Sequence, residues 1–193
     1  MQRQLWFILF VTVILFHIYT EGAFIFIYYT IWTFTLETLF FGLLMLKSPR
    51  IVAVRRHLFE TIFAPSIVVC VGFWIVIAPI YLQSSKPKNA VLVFVTHGLN
   101  AIAMITEMKT LTMGVIWKPL AFTFTYNLFL MVYVGAGGRS ISGKLPYWYA
   151  EYDKLVGWVF FVLAMIAVSL VHLISASYIW PVPPKRESIQ YIV

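Results

Sequence analysis

Read for its hydrophobic and polar positions, the chain resolves into six long apolar runs separated by short polar breaks, at about residues 5–19, 23–46, 61–82, 90–108, 119–136 and 155–180. A helix needs ~20 apolar residues to cross the hydrocarbon core of a bilayer. The pattern therefore predicts an all-α polytopic membrane protein, a bundle of six transmembrane helices in one domain over residues 1–180. Breaks fall at Thr20-Glu21-Gly22, at the basic stretch from Lys47 to His57, at 84–89, around Lys109–Lys118 and at Gly137–Lys154. A short Pro-rich tail, 181–193, is expected on the cytosolic side. The first run also has the layout of a secretory signal, with Arg3 ahead of it and Gly22-Ala23 behind. It is expected to be a short first span. No internal repeat is visible, which gives an inverted-repeat transporter no support.

Composition removes the soluble alternatives. Hydrophobic residues make up 62% of the 193 and charged residues 11%, against roughly a quarter charged in soluble domains, and mean hydropathy is +0.90. The formal charge of +7 does not imply a nucleic-acid partner, because Lys and Arg lie scattered between apolar runs rather than in one basic patch. With six spans, nine basic residues flank the side that carries both termini, among them Arg3, Lys47, Arg50, Arg55 and Arg56, and five flank the other. Positive loops stay inside. The termini are thus expected in the cytosol, with the endoplasmic reticulum or the plasma membrane as the host. Cys70 is the single cysteine, so no intrachain disulfide is available. No Cys/His zinc spacing occurs either, and neither a metal nor a cofactor is expected.

Four ionisable residues stand inside apolar runs: Glu37, His97, Glu107 and His172. Such groups are costly in lipid and mark either function or helix-to-helix hydrogen bonding. Thr30, Thr33 and Glu37 fall at i, i+3 and i+7, one helical stripe. His97, Asn100 and Glu107 make a second stripe on another span, and two polar stripes are expected to face each other. Thr30 and His97 each lie seven residues into a span that starts from the same side, about 10 Å deep at 1.5 Å per residue. Glu37, Glu107 and His172 fall nearer the opposite face, as a separate and structural layer.

A threonine hydroxyl becomes a nucleophile when a base within hydrogen-bond reach takes its proton. Thr30 and His97 can form such a pair, with Asn100 or Thr33 binding substrate or the oxyanion. In the alternative reading, Thr30 bonds to the carbonyl four residues back in its own helix and His97 makes an ordinary interhelical hydrogen bond.

The stretch Tyr29-Thr30-Ile31-Trp32-Thr33-Phe34 with Phe40-Phe41-Gly42, the stretch Phe63-Ala64-Pro65 leading to Gly72-Phe73-Trp74, His97 with Glu107-Met108, and Leu145-Pro146-Tyr147 with Glu151 together resemble the androgen-induced and androgen-dependent transmembrane hydrolases. The resemblance covers about residues 25–180. It implies six membrane helices and hydrolysis of fatty acid esters of hydroxy fatty acids by an intramembrane Thr nucleophile and a His. One departure is Phe94, where that family usually has a second His. Thr96-His97-Gly98-Leu99-Asn100, with Tyr29-Thr30-Ile31-Trp32, is equally similar to the Rolling stone membrane proteins, which imply no hydrolase chemistry.

Two function classes are therefore expected to compete: a lipid-ester hydrolase whose partner is a membrane lipid or fatty acyl ester, and a non-catalytic lipid-binding or accessory subunit of a larger membrane assembly. Nucleotide binding does not compete. Gly138–Lys144 has a phosphate-loop spacing, but Leu145 stands where a Ser or Thr is required and no strand precedes it.

Overall fold

A computed structural model of the chain describes residues 2–79, 90–108, 115–147 and 149–179. Among these residues 83% are helical and there is no strand, which bears out the all-α expectation. Helix α1 (Gln2–Glu21) tightens into a 3₁₀ turn, Gly22–Ile27. After Tyr28 the chain restarts as α2 (Tyr29–Leu43). Helix α3 (Pro49–Gly72) runs into a π-turn at Phe73–Ile77. Helix α4 is built of Ala90–Phe94, a second π-turn at Val95–Leu99, and Asn100–Thr106. Helices α5 (Trp117–Gly135) and α6 (Leu155–Ile179) complete the described chain.

Each apolar run thus carries a helical segment. Helix α1 ends at Glu21 and Gly22 takes φ 63°, so the break expected at Thr20–Gly22 is present, and a 3₁₀ turn and a second interruption at Tyr28 follow it. The basic stretch expected as a loop from Lys47 to His57 is helical from Pro49 onward. Proline at a helix start loses nothing, since its missing N–H would have no partner there. Arg50, Arg55, Arg56 and His57 therefore project from the first turns of α3. Residues 84–89, 109–114 and 181–193, where two further breaks and the tail were expected, lie outside the described residues.

Among the described residues three stretches are long and apolar enough to cross a membrane: Gln2–Ile27, Pro49–Val76 and Leu155–Ser177. That is consistent with an integral membrane protein. Helix α2, with 15 residues, is about 22 Å long and falls short of the ~30 Å hydrocarbon core.

Helix α3 is the hub, packing on α2, α4, α5 and α6. Half of its most apolar stretch is buried inside the protein, against 17% for the corresponding stretches of α1 and α6, whose outer faces stay exposed. The main core lies between α1, α2, α3 and α4, around Phe10, Phe34, Phe41, Ile62, Phe63 and Met104. Ion pairs close one end of the bundle. Arg3 grips Glu107 with two hydrogen bonds of 2.8 and 2.9 Å, and Lys118 reaches the buried Glu60 at 2.5 Å with Arg56 on the other carboxylate oxygen at 3.2 Å.

Candidate functional site

Thr30 owes its position to an interruption of the backbone. Tyr28 is extended (φ −99°, ψ 133°) and α2 begins one residue later, so Thr30 sits in a first turn with no helix stacked beneath it. Elsewhere among the described residues eight threonines return their hydroxyl to the carbonyl four residues back. For Thr30 that acceptor is Phe26 O, which takes the Trp32 indole N–H at 2.6 Å. Thr30 Oγ1 turns across to α4 and lies 3.3 Å from His97 Nε2.

His97 is placed by the two π-turns. A π-turn widens a helix locally and pulls a carbonyl out of the regular ladder, a feature often found at functional sites. Here Trp74, in the π-turn of α3, donates its indole N–H to His97 O at 3.2 Å. Its neighbour Phe73 stacks on the imidazole with ring centroids 4.0 Å apart. The other ring nitrogen, Nδ1, is 3.1 Å from Val93 O and 2.8 Å from Thr96 Oγ1. A carbonyl only accepts, so these partners assign the ring proton to Nδ1. Nε2 then presents its lone pair to Thr30, and the Thr30 O–H is the donor. The imidazole is oriented as a base toward a hydroxyl. Its 3.3 Å reach is long for an O–H···N bond.

Both side chains line a cavity of about 310 Å³, at the small end of the range for ligand sites. Tyr29, Tyr126, Asn127 and Tyr147 supply further polar groups on its wall, while Val68, Val69, Leu130, Leu163 and Ala164 make much of the rest apolar. The phenols are tied to one another's elements. Tyr29 Oη lies 2.7 Å from Thr123 Oγ1, Tyr126 donates to Ile27 O at 2.8 Å, and Tyr147 accepts the Tyr29 amide at 3.0 Å. Burial pushes the Tyr147 hydroxyl up to about 12, so it remains a neutral phenol at physiological pH. A largely apolar space with several hydroxyl and amide groups on its wall is chemically suited to a ligand that combines hydrocarbon with a polar group.

The remaining expected residues separate into other places. Thr33 is buried and bonds back to Tyr29 O at 3.0 Å. Asn100 is fully buried and directs its amide N–H to Glu37 Oε1 at 3.5 Å rather than to the Thr30–His97 pair. Ser66 of α3 joins that cluster with a hydrogen bond to Glu37 Oε1. Glu107 pairs with Arg3, and His172 is fully buried in α6. Neither lines the cavity. Several contributors were not expected from sequence: Ser66, Thr96, Thr123, Tyr126 and Asn127. Thr123 and Asn127 are four apart and form a polar stripe on α5, the signal that singled out α2 and α4. Among the described residues no three His, Cys, Asp or Glu side chains gather as metal ligands would.

No family model, no curated protein and no solved structure matches the chain.

Proposed function

We propose that the protein is a multi-pass membrane hydrolase of lipid esters, acting on fatty acid esters of hydroxy fatty acids through an intramembrane Thr30 nucleophile and His97 base. In this reading the six helical segments are six spans, both termini are cytosolic, and the host is the endoplasmic reticulum or plasma membrane. The observation that carries it is the Thr30–His97 contact of 3.3 Å, with the base lone pair on the nitrogen that faces the hydroxyl, at the wall of an acyl-sized cavity.

The chemistry follows from that geometry. His97 Nε2 takes the Thr30 proton as Oγ1 adds to the ester carbonyl. The tetrahedral intermediate expels the hydroxy-acid oxygen, which leaves as a hydroxyl with the proton from Nε2. Water then adds to the acyl-threonine, giving its proton to Nε2, and the proton returns to Thr30 as the free fatty acid departs. The Nδ1–H bond to Val93 O keeps the ring aligned while Nε2 cycles. Asn127, on the same wall, gives one amide N–H to Thr123 O at 2.8 Å and has a second N–H available to the oxyanion.

The test is turnover of branched fatty acyl esters by purified protein in nanodiscs. Thr30→Ala and His97→Ala are each expected to abolish it. Equal hydrolysis by wild type and Thr30→Ala ends the catalytic reading. It would transfer support to the non-catalytic lipid-binding or accessory subunit, which the little-buried outer faces of α1 and α6 favour.

A further inference from the structure

We propose that Tyr126 and Tyr147 are positioning residues for the Thr30–His97 pair, two phenols that hold the backbone break at Tyr28 and thereby keep the Thr30 hydroxyl turned toward α4. The inference rests on the hydrolase reading for its catalytic consequence, but its geometric content stands apart from turnover.

A helix interrupted inside a low-dielectric bundle leaves backbone groups without ladder partners, and each must find one inside the protein. Three such groups flank Tyr28, and aromatic side chains meet all three. Phe26 O takes the Trp32 indole N–H at 2.6 Å. Ile27 O takes the Tyr126 hydroxyl at 2.8 Å, and Tyr29 N–H gives its proton to the Tyr147 hydroxyl at 3.0 Å. Trp32 belongs to α2 itself, whereas Tyr126 comes from α5 and Tyr147 from the loop after it. The break is thus fixed from outside its own helix.

The consequence for Thr30 is direct. Eight other threonines among the described residues show the default, a hydroxyl returned to the carbonyl four residues back. If the 3₁₀ turn Gly22–Ile27 rewound into continuity with α2, Phe26 O would become that acceptor and Thr30 would leave His97. The two phenols oppose the rewinding, because a continuous helix would withdraw Ile27 O and Tyr29 N–H from them. Tyr147 is also wedged edge-on against Tyr28 with ring centroids 5.8 Å apart, so its ring holds the side chain of the break as its hydroxyl holds the backbone.

Tyr126→Phe and Tyr147→Phe remove one oxygen each and keep the rings, so folding is checked by thermal melting and the effect is read on the site. Each variant is expected to lower kcat by about tenfold to a hundredfold, the scale of a misplaced reacting group; because both phenols also stand on the cavity wall, positioning is separated from direct contact with substrate by the His97 resonance. Tyr133→Phe, which loses a comparable bond to Arg139 O at 2.7 Å in the loop, is the control and should keep wild-type kcat. The second readout needs no turnover: the imidazole nitrogen resonances of His97 in protein with isotope-labelled histidine, assigned by their loss in His97→Asn. Thr30→Val should shift the Nε2 resonance, and both phenylalanine variants should shift it the same way. An unmoved resonance in both variants overturns the proposal whether or not the protein hydrolyses esters. A moved resonance with wild-type kcat in an active enzyme also overturns it. If wild type and Thr30→Ala hydrolyse equally, the hydrolase reading falls alone and the resonance decides the clamp.

Discussion

Two polar clusters join α2 to α4, and they differ in what surrounds them. Thr30 and His97 meet at the start of α2 beside two π-turns and open on a cavity of about 310 Å³. Glu37, Asn100 and Ser66 meet deeper, and all three are fully buried with no part in the cavity wall. The lower cluster is the more polar, yet among the described residues Glu37 Oε2 and Asn100 Oδ1 find no hydrogen-bond partner. Polar residues within apolar runs therefore mark where helices face each other, and the surrounding packing decides which contact opens on a cavity. Both clusters lie beside irregular backbone, since Ser66 follows Pro65 within α3 and Asn100 follows the π-turn of α4; the break at Tyr28 is particular to the upper pair, which lines the cavity while the Glu37 cluster does not.

The comparison is broken most sharply by turnover. Thr30→Ala should cost about four to six orders of magnitude, the scale for removing a nucleophile, and Glu37→Gln should leave the rate at the wild-type level, both measured as ester hydrolysis in nanodiscs. If Glu37→Gln is as inactive as Thr30→Ala, the two clusters are one site and the distinction fails.

Stability should rank the clusters in the opposite order. Glu37→Ala strands Ser66 and Asn100 and opens a void in the close-packed interior, costing about 3–5 kcal/mol. Thr30→Val keeps the shape and gives up one hydrogen bond, worth about 1 kcal/mol. Reversible unfolding in detergent measures both, and a larger loss for Thr30→Val would contradict the packing described for the lower cluster.

A smaller effect is expected at Gly157, where α6 starts against the loop. An added Cβ would lie 2.7 Å from Glu151 O, a backbone atom with little freedom to move. Gly157→Ala should therefore lower the melting temperature by a few degrees without altering the upper pair, and an unchanged melting temperature would show that this corner yields.

The smallest effect belongs to Thr33, which lies on the same stripe between the two clusters but spends its hydroxyl on its own helix. Thr33→Val should change stability by less than about 1 kcal/mol and leave turnover alone. A large loss of rate would draw Thr33 into the substrate site and blur the boundary between the clusters.

Particular residues show why the sequence was legible in part. Counting seven residues at a constant helical rise set Thr30 and His97 side by side, and the two side chains meet, although the rise is not constant: a 3₁₀ turn and the break at Tyr28 precede Thr30 and a π-turn carries His97. Assigning Asn100 to the same partner assumed that residues three apart share a face, which holds for an α-helix. His97 lies inside a π-turn, whose wider winding rotates Asn100 away from Thr30 and toward Glu37. Glu107 was expected in a layer with Glu37, but Arg3, far away in sequence, took it instead. Chain-distant competition of this kind leaves no local pattern.

Apolar runs of membrane-span length determine by themselves that this chain is helical and apolar on its outer faces, because in lipid the backbone must satisfy its own hydrogen bonds. They also determine which polar residues must turn inward, because exposing these to lipid is costly. Tertiary structure alone decides that the helix before Thr30 stops at Tyr28. The extended Tyr28 takes Phe26 O out of the helical position that Thr30 would need, the groups beside the break meet Trp32 and the phenols of α5 and the following loop, and the hydroxyl lies against His97. These choices depend on which groups meet in space, and spacing along the chain does not encode that.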